Sequence, residues 1–64
     1  MTSRYDSLAR LNLAAAEEAI RSGDMKNATV FAGNLIAVLA RGAALPVDGE
    51  ARIAAVRFAV GFGG

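Results

Sequence analysis

The chain has 64 residues and a mass of 6.6 kDa, is 55% hydrophobic, and contains neither Cys nor His. That excludes disulfides and the usual zinc sites, so close helix packing and self-association are the supports left to a domain that buries only about 60% of its unfolded surface. Seven basic and six acidic residues are spread along the sequence for a net charge of +1, too even a balance to attract nucleic acid or an anionic membrane.

Fifteen residues are Ala and four are aromatic: Tyr5, Phe31, Phe58 and Phe62. Alanine favours helix, but each one buries little apolar area. High helix propensity with a thin core is the expected result, and oligomerisation is the economical way to reconcile the two. The opening MTSRYDS is polar and leads into an amphipathic pattern, unlike a signal peptide. The apolar run of residues 28–47 is interrupted by Asn34, Arg41 and Pro46, which leaves uninterrupted apolar stretches well short of the roughly 20 residues a bilayer span needs. A cytoplasmic protein is the expectation.

The first helix is predicted over about residues 4–22, with Ser3 as N-cap and Asp6 in the place of a capping-box acid. At 100° per residue its apolar positions, Tyr5, Leu8, Ala9, Leu13, Ala15, Ala16, Ala19 and Ile20, fill an arc of about 160°. Asp6, Arg10, Glu17 and Arg21 lie opposite, with Glu17 and Arg21 spaced for an i,i+4 ion pair. Asn12 is the anomaly, because it projects into the apolar arc, where a polar group can fix register or pair across an oligomer interface.

Ser22-Gly23-Asp24 supplies a C-cap glycine and the next N-cap. So short a link predicts an antiparallel helical hairpin. The second helix, about residues 25–41, is apolar over roughly 200° of its circumference. Asn27, Asn34 and Arg41 recur every seven residues as a polar stripe, and Gly33 with Ala37 forms a small-residue pair that admits another backbone. Gly42 ends this helix. In the apolar connection that follows, Leu45 and Val47 are expected to pack back on the hairpin, and Asp48 to cap a third helix over about residues 49–60.

That third helix has two apolar faces. Ile53, Val56 and Val60 form one; Ala51, Ala55, Phe58, Ala59 and Phe62 form the other. Arg57 and Glu50 separate them on one side and Arg52 on the other, with Glu50 available to pair with an arginine. A lone three-helix domain covers one such face. The surplus apolar surface is therefore expected beside the central helix, around Ala55, Phe58 and Phe62, with a flexible Gly-rich tail at residues 61–64.

The hairpin from Asn12 to Ala40, with Ala16, Gly23 and Ala28 at its characteristic intervals, is similar to a single tetratricopeptide helix pair. It departs from that pattern in having Ala19 and Ala32 at the bulky aromatic positions and no Pro at Ala40. With no second repeat, where a solenoid needs about three, the resemblance implies a helix pair and no function.

Nothing in the sequence organises catalysis. Glu17 and Glu18 are adjacent and point about 100° apart on a helix, no His activates a serine, and the closing glycines follow no strand. No cofactor or metal is expected. A helix-turn-helix reading would make a mostly Ala surface the recognition helix, which offers few base contacts. A membrane-active helix would carry its Lys and Arg on the polar face, whereas charge here is balanced.

The expectation is an all-α single domain over residues 1–64: an antiparallel helical hairpin plus a shorter third helix, assembled as an oligomeric bundle. Its expected role is non-enzymatic self-association and binding of a protein partner through Ala51, Ala55, Phe58, Phe62, Gly33 and Ala37. The alternative is an oligomeric binder of a small anion such as a nucleotide, held between subunits by Asn12, Asn34, Arg41, Arg52 and Arg57.

Overall fold

The computed structural model describes residues 4–61 and contains three helices: α1 (Arg4–Arg21), α2 (Met25–Ala40) and α3 (Gly49–Val60). No strand occurs among the described residues. This is the all-α hairpin with a shorter third helix that the sequence predicts, α1 packing extensively on α2 and α3 making a smaller contact with each. Ser3, Phe62 and the last two glycines lie outside the described residues, so the expected Ser3 cap and the aromatic of the tail do not enter the structural description.

The hairpin turn follows from its sequence. Gly23 adopts a left-handed backbone (φ 78°), which a residue with a Cβ enters only at a cost. Its N–H then donates to the Ile20 carbonyl (3.1 Å), and the Asp24 N–H donates to the Ala19 carbonyl (2.8 Å), satisfying two orphan carbonyls of α1. Asp24 starts α2 by accepting from the Asn27 N–H (3.2 Å) and from the Asn27 side-chain amide (2.7 Å). The end of α2 repeats the glycine solution at Gly42, with Ala43 donating to the Val38 carbonyl (3.2 Å).

The core is thin, as the composition implies. Its fully buried residues of any size are Leu13 and Leu35, surrounded by Ala9, Ala16 and Ala32 and covered from α3 by Ile53 and Val56. Alanines between α1 and α2 let the two backbones approach closely, so the hairpin trades buried volume for proximity. Leu8, expected inside the apolar arc of α1, is exposed instead: the buried stripe runs through Ala9, Leu13 and Ala16.

The connection to α3 departs from expectation. Leu45 is 53% exposed and Val47 81% exposed, so neither packs on the hairpin; Ala43 and Pro46 are the residues turned inward. The reason is a hydrogen bond across 38 residues, in which the Ala44 N–H donates to Asp6 Oδ1 at 2.7 Å. Asp6 thereby anchors the connection from a position expected on the solvent side of α1. Leu45 instead leans on Gly49, where a Cβ would come within 3.1 Å of both the Leu45 Cβ and the Pro46 Cδ. Asp48 precedes α3 but makes no side-chain cap bond, because its backbone is left-handed (φ 54°) and its carbonyl, accepting from the Arg52 N–H, does the closing. Gly61, the first residue of the expected tail, is ordered as the left-handed cap that ends α3.

Candidate functional site

Two regions combine chemistry with accessibility: the groove between α1 and α3, and the outer face of α3. Glu17 defines the groove. Its pairing with Arg21, expected from sequence, does not form. Arg21 bonds Glu18 instead (2.7 Å, exposed), while Glu17 receives two hydrogen bonds from Arg52, Nε to Oε2 at 2.9 Å and Nη2 to Oε1 at 2.6 Å. A planar guanidinium that meets both carboxylate oxygens is a stronger partner than a flexible i,i+4 neighbour. The same arginine donates from Nη1 to the Val47 carbonyl (3.1 Å), so one side chain ties α1, α3 and the connection before α3.

This bond holds the Glu17 carboxyl below its usual value, against an opposing push from partial burial, and raises Arg52 in return. Beside the pair, Ile20 and Arg21 of α1 and Ala55 and Ala59 of α3 line an open groove of about 220 Å³. A second shallow recess of about 390 Å³ lies at the start of α3, between Leu45, Pro46 and Ala51, with Asp48 and Glu50 at its rim.

The candidate polar contacts do not gather at either place. Asn12 is half-buried and donates its side-chain amide to the Leu8 carbonyl one turn back (2.8 Å), so one of its N–H groups is taken up by its own helix. Asn34 stands on the exposed side of α2. Arg41 lies over the Tyr5 ring, 6.0 Å from its centroid, at the outer limit of a cation–π contact. Arg57 is exposed on α3, and Arg52 is held by Glu17 rather than by Glu50. Among the described residues no buried side-chain nitrogen or oxygen lacks a partner, and no group of three or more acidic residues is placed to hold a metal ion.

The candidate apolar residues are more accessible. Ala51, Ala54, Ala55, Phe58 and Ala59 are all exposed along one side of α3, and Phe58 reaches 86% exposure. Ile53, Val56 and Val60 occupy the opposite side and pack on the core. Phe58 thus stands among alanines like a knob on a smooth strip. The central helix is also less covered than its flanks suggest: Met25, Val30, Ile36, Gly33 and Ala37 are exposed on α2, and no side chain or loop lies within 4 Å of where a Gly33 Cβ would stand. Alanine neighbours on α1 and the short α3 have too little bulk to wrap around it.

No helix among the described residues is long and apolar enough to cross a membrane. Comparison of the chain with protein-family models, with curated proteins and with solved structures finds no match. The tetratricopeptide likeness therefore stays at the level of an αα-hairpin, and the site is read from its own chemistry.

The Glu17–Arg52 pair was not legible in the sequence. Its members are 35 residues apart, and each had a local partner that looked sufficient. A weak signal existed in retrospect: Arg52 borders the inward face of α3 by helical period, so its head must lie near whichever helix covers that face.

Proposed function

We propose that the protein is a non-enzymatic interaction module that associates with itself and binds a protein partner through uncovered helix faces. The observation that carries this reading is Phe58, an aromatic ring left 86% exposed in the middle of an alanine face. A large apolar group kept in water is unfavourable to the isolated chain, and aromatic residues ringed by small apolar ones are common anchors of protein interfaces. The exposed strip of α2 around Gly33 and Ala37 gives a second face, suited to a helix of the partner. A cytoplasmic location belongs to this proposal, in keeping with the near-balanced charge of the chain.

The anion-binding alternative gains no support from the α1–α3 groove. Its two guanidinium groups are each already answered by a carboxylate, Arg52 by Glu17 and Arg21 by Glu18, so an anion would enter only by displacing one of them.

Light scattering over rising protein concentration tests the proposal. The apparent mass should climb from 6.6 kDa toward twice that value, and Phe58→Asp should hold it at the monomer while the far-UV circular dichroism stays helical. A wild-type chain that remains monomeric to roughly 2 mM, beyond the range of ordinary specific association, refutes self-association. A partner that binds wild type and Ala37→Glu equally well refutes the role given to α2.

A further inference from the structure

The outer face of α3 has a property beyond being apolar: it is complementary to itself. By helical period Ala51, Phe58, Ala54 and Ala55 form the centre of the face, and all are exposed. Glu50 and Arg57 both lie along one edge of it, seven residues or two turns apart, about 10.5 Å along the axis. Both are exposed, and neither makes an ion pair or side-chain hydrogen bond among the described residues. The other edge carries Arg52, whose charge is answered within the chain by Glu17.

We infer that α3 packs against α3 of a second copy of this chain, the two helices antiparallel about a two-fold axis that passes near Ala54. This rests on the self-association proposed above and adds which face is used and in what register. A two-fold axis perpendicular to an antiparallel helix pair brings the same edge of each helix to the same side of the interface. With Ala54 on the axis, position 50 of one chain comes beside position 58 of the other, and Glu50 reaches Arg57 of the second copy, twice by symmetry. Phe58 then comes over Ala51 and Ala54 of the second copy, so each large side chain meets small ones. Alanine at the crossing allows the two axes to approach to about 8 Å, the short end of helix packing distances. A parallel pairing would instead set Phe58 against Phe58 and turn the Glu50 and Arg57 edge of each helix toward the Arg52 edge of the other, where Arg52 is already held by Glu17.

Size sets the expected strength. A 12-residue helix offers a strip about 18 Å long and roughly 10 Å wide, well below the roughly 800 Å² per partner of a standard interface. The dimer is therefore expected to dissociate in the range of roughly 10 µM to 1 mM.

Sedimentation equilibrium on the full chain, with a charge swap and engineered thiols, tests the geometry. Glu50→Arg and Arg57→Glu should each weaken the dimer roughly tenfold at low salt, since each puts like charges together at two symmetric places. The double variant E50R/R57E should regain most of that loss, because swapping both signs restores the match. The chain has no cysteine, so an introduced thiol reports on its own copy alone. Ala54→Cys should crosslink under mild oxidation, its Cα atoms lying about 5–6 Å apart across the axis, within disulfide reach. Ala51→Cys should not, because its two copies stand roughly 9 Å apart along the helix axis. Circular dichroism of each variant checks that the fold is kept, which its exposed position favours. A dimer that ignores the charge swap, or crosslinks as readily at position 51 as at 54, overturns the antiparallel α3 arrangement while leaving self-association standing. A monomer at every concentration to roughly 2 mM overturns both.

Discussion

Leu13→Ala measures how much of the fold rests on its few large core residues. Leu13 is fully buried, and Leu35 is its one comparable neighbour among the described residues. Truncating a buried leucine to alanine costs about 2–5 kcal/mol, the spread depending on how far the site collapses into the cavity. A 64-residue chain with ordinary stability of about 0.05–0.15 kcal/mol per residue has roughly 3–10 kcal/mol in all. One substitution thus removes between about a fifth and all of it. At about 2.1 cal/mol/K per residue the unfolding entropy is roughly 0.13 kcal/mol/K, so a loss of about 3 kcal/mol lowers Tm by roughly 20 °C. Leu11, two residues earlier on α1 but 66% exposed, is the control: Leu11→Ala should stay within about 0.5 kcal/mol, or roughly 4 °C. Thermal and urea unfolding followed by far-UV circular dichroism, at a protein concentration too low for association, gives both values. Equal losses at the two positions would refute the orientation of α1 and with it the thin core built on Leu13 and Leu35.

Three further outcomes follow from the helix ends and the ion pair. Asp24→Ala removes a side-chain cap and should cost about 0.5–2 kcal/mol in urea unfolding. Asp48→Gly loses no cap bond and relieves a left-handed backbone (φ 54°), so it should leave the chain as stable or more so; a loss like that of Asp24→Ala would mean that the Asp48 side chain caps α3 after all. Glu17 has its folded-state pKa held below the ordinary value of 4.5 by Arg52, so its contribution is present above that value and lost as pH falls through the depressed one. Wild type should accordingly melt higher than Glu17→Gln at neutral pH, with the gap closing at acid pH, and a gap that is unchanged down to pH of about 3 would show that the bridge does not act in the folded state.

Much of the architecture was legible because its causes are local. The turn at Ser22-Gly23-Asp24 needs only a glycine that accepts a left-handed backbone and an aspartate that accepts from the next turn, and both facts stand in adjacent letters. The two-faced character of α3 was legible for the same kind of reason, since a helical period assigns Ile53, Val56 and Val60 to one side and Ala51, Ala55 and Phe58 to the other before any packing is known. What periodicity could not assign was which neighbour each side would meet. Leu45 and Val47 looked like core residues because they are apolar, but the path of the connection is set by an Asp6 hydrogen bond to the Ala44 N–H, which no local pattern contains.

The sequence by itself thus determined three helices, their hairpin order and the apolar face that α3 leaves over, because propensity, caps and period act within a few residues. Only the tertiary structure decided that Arg52 belongs to Glu17, that Asp6 anchors the connection, that Asn12 bonds back to the Leu8 carbonyl on α1, and that α2 keeps an exposed apolar strip. Those outcomes depend on how closely alanine-lined helices approach and on which groups, 35 or 38 residues apart in the chain, are carried into hydrogen-bonding range when they do.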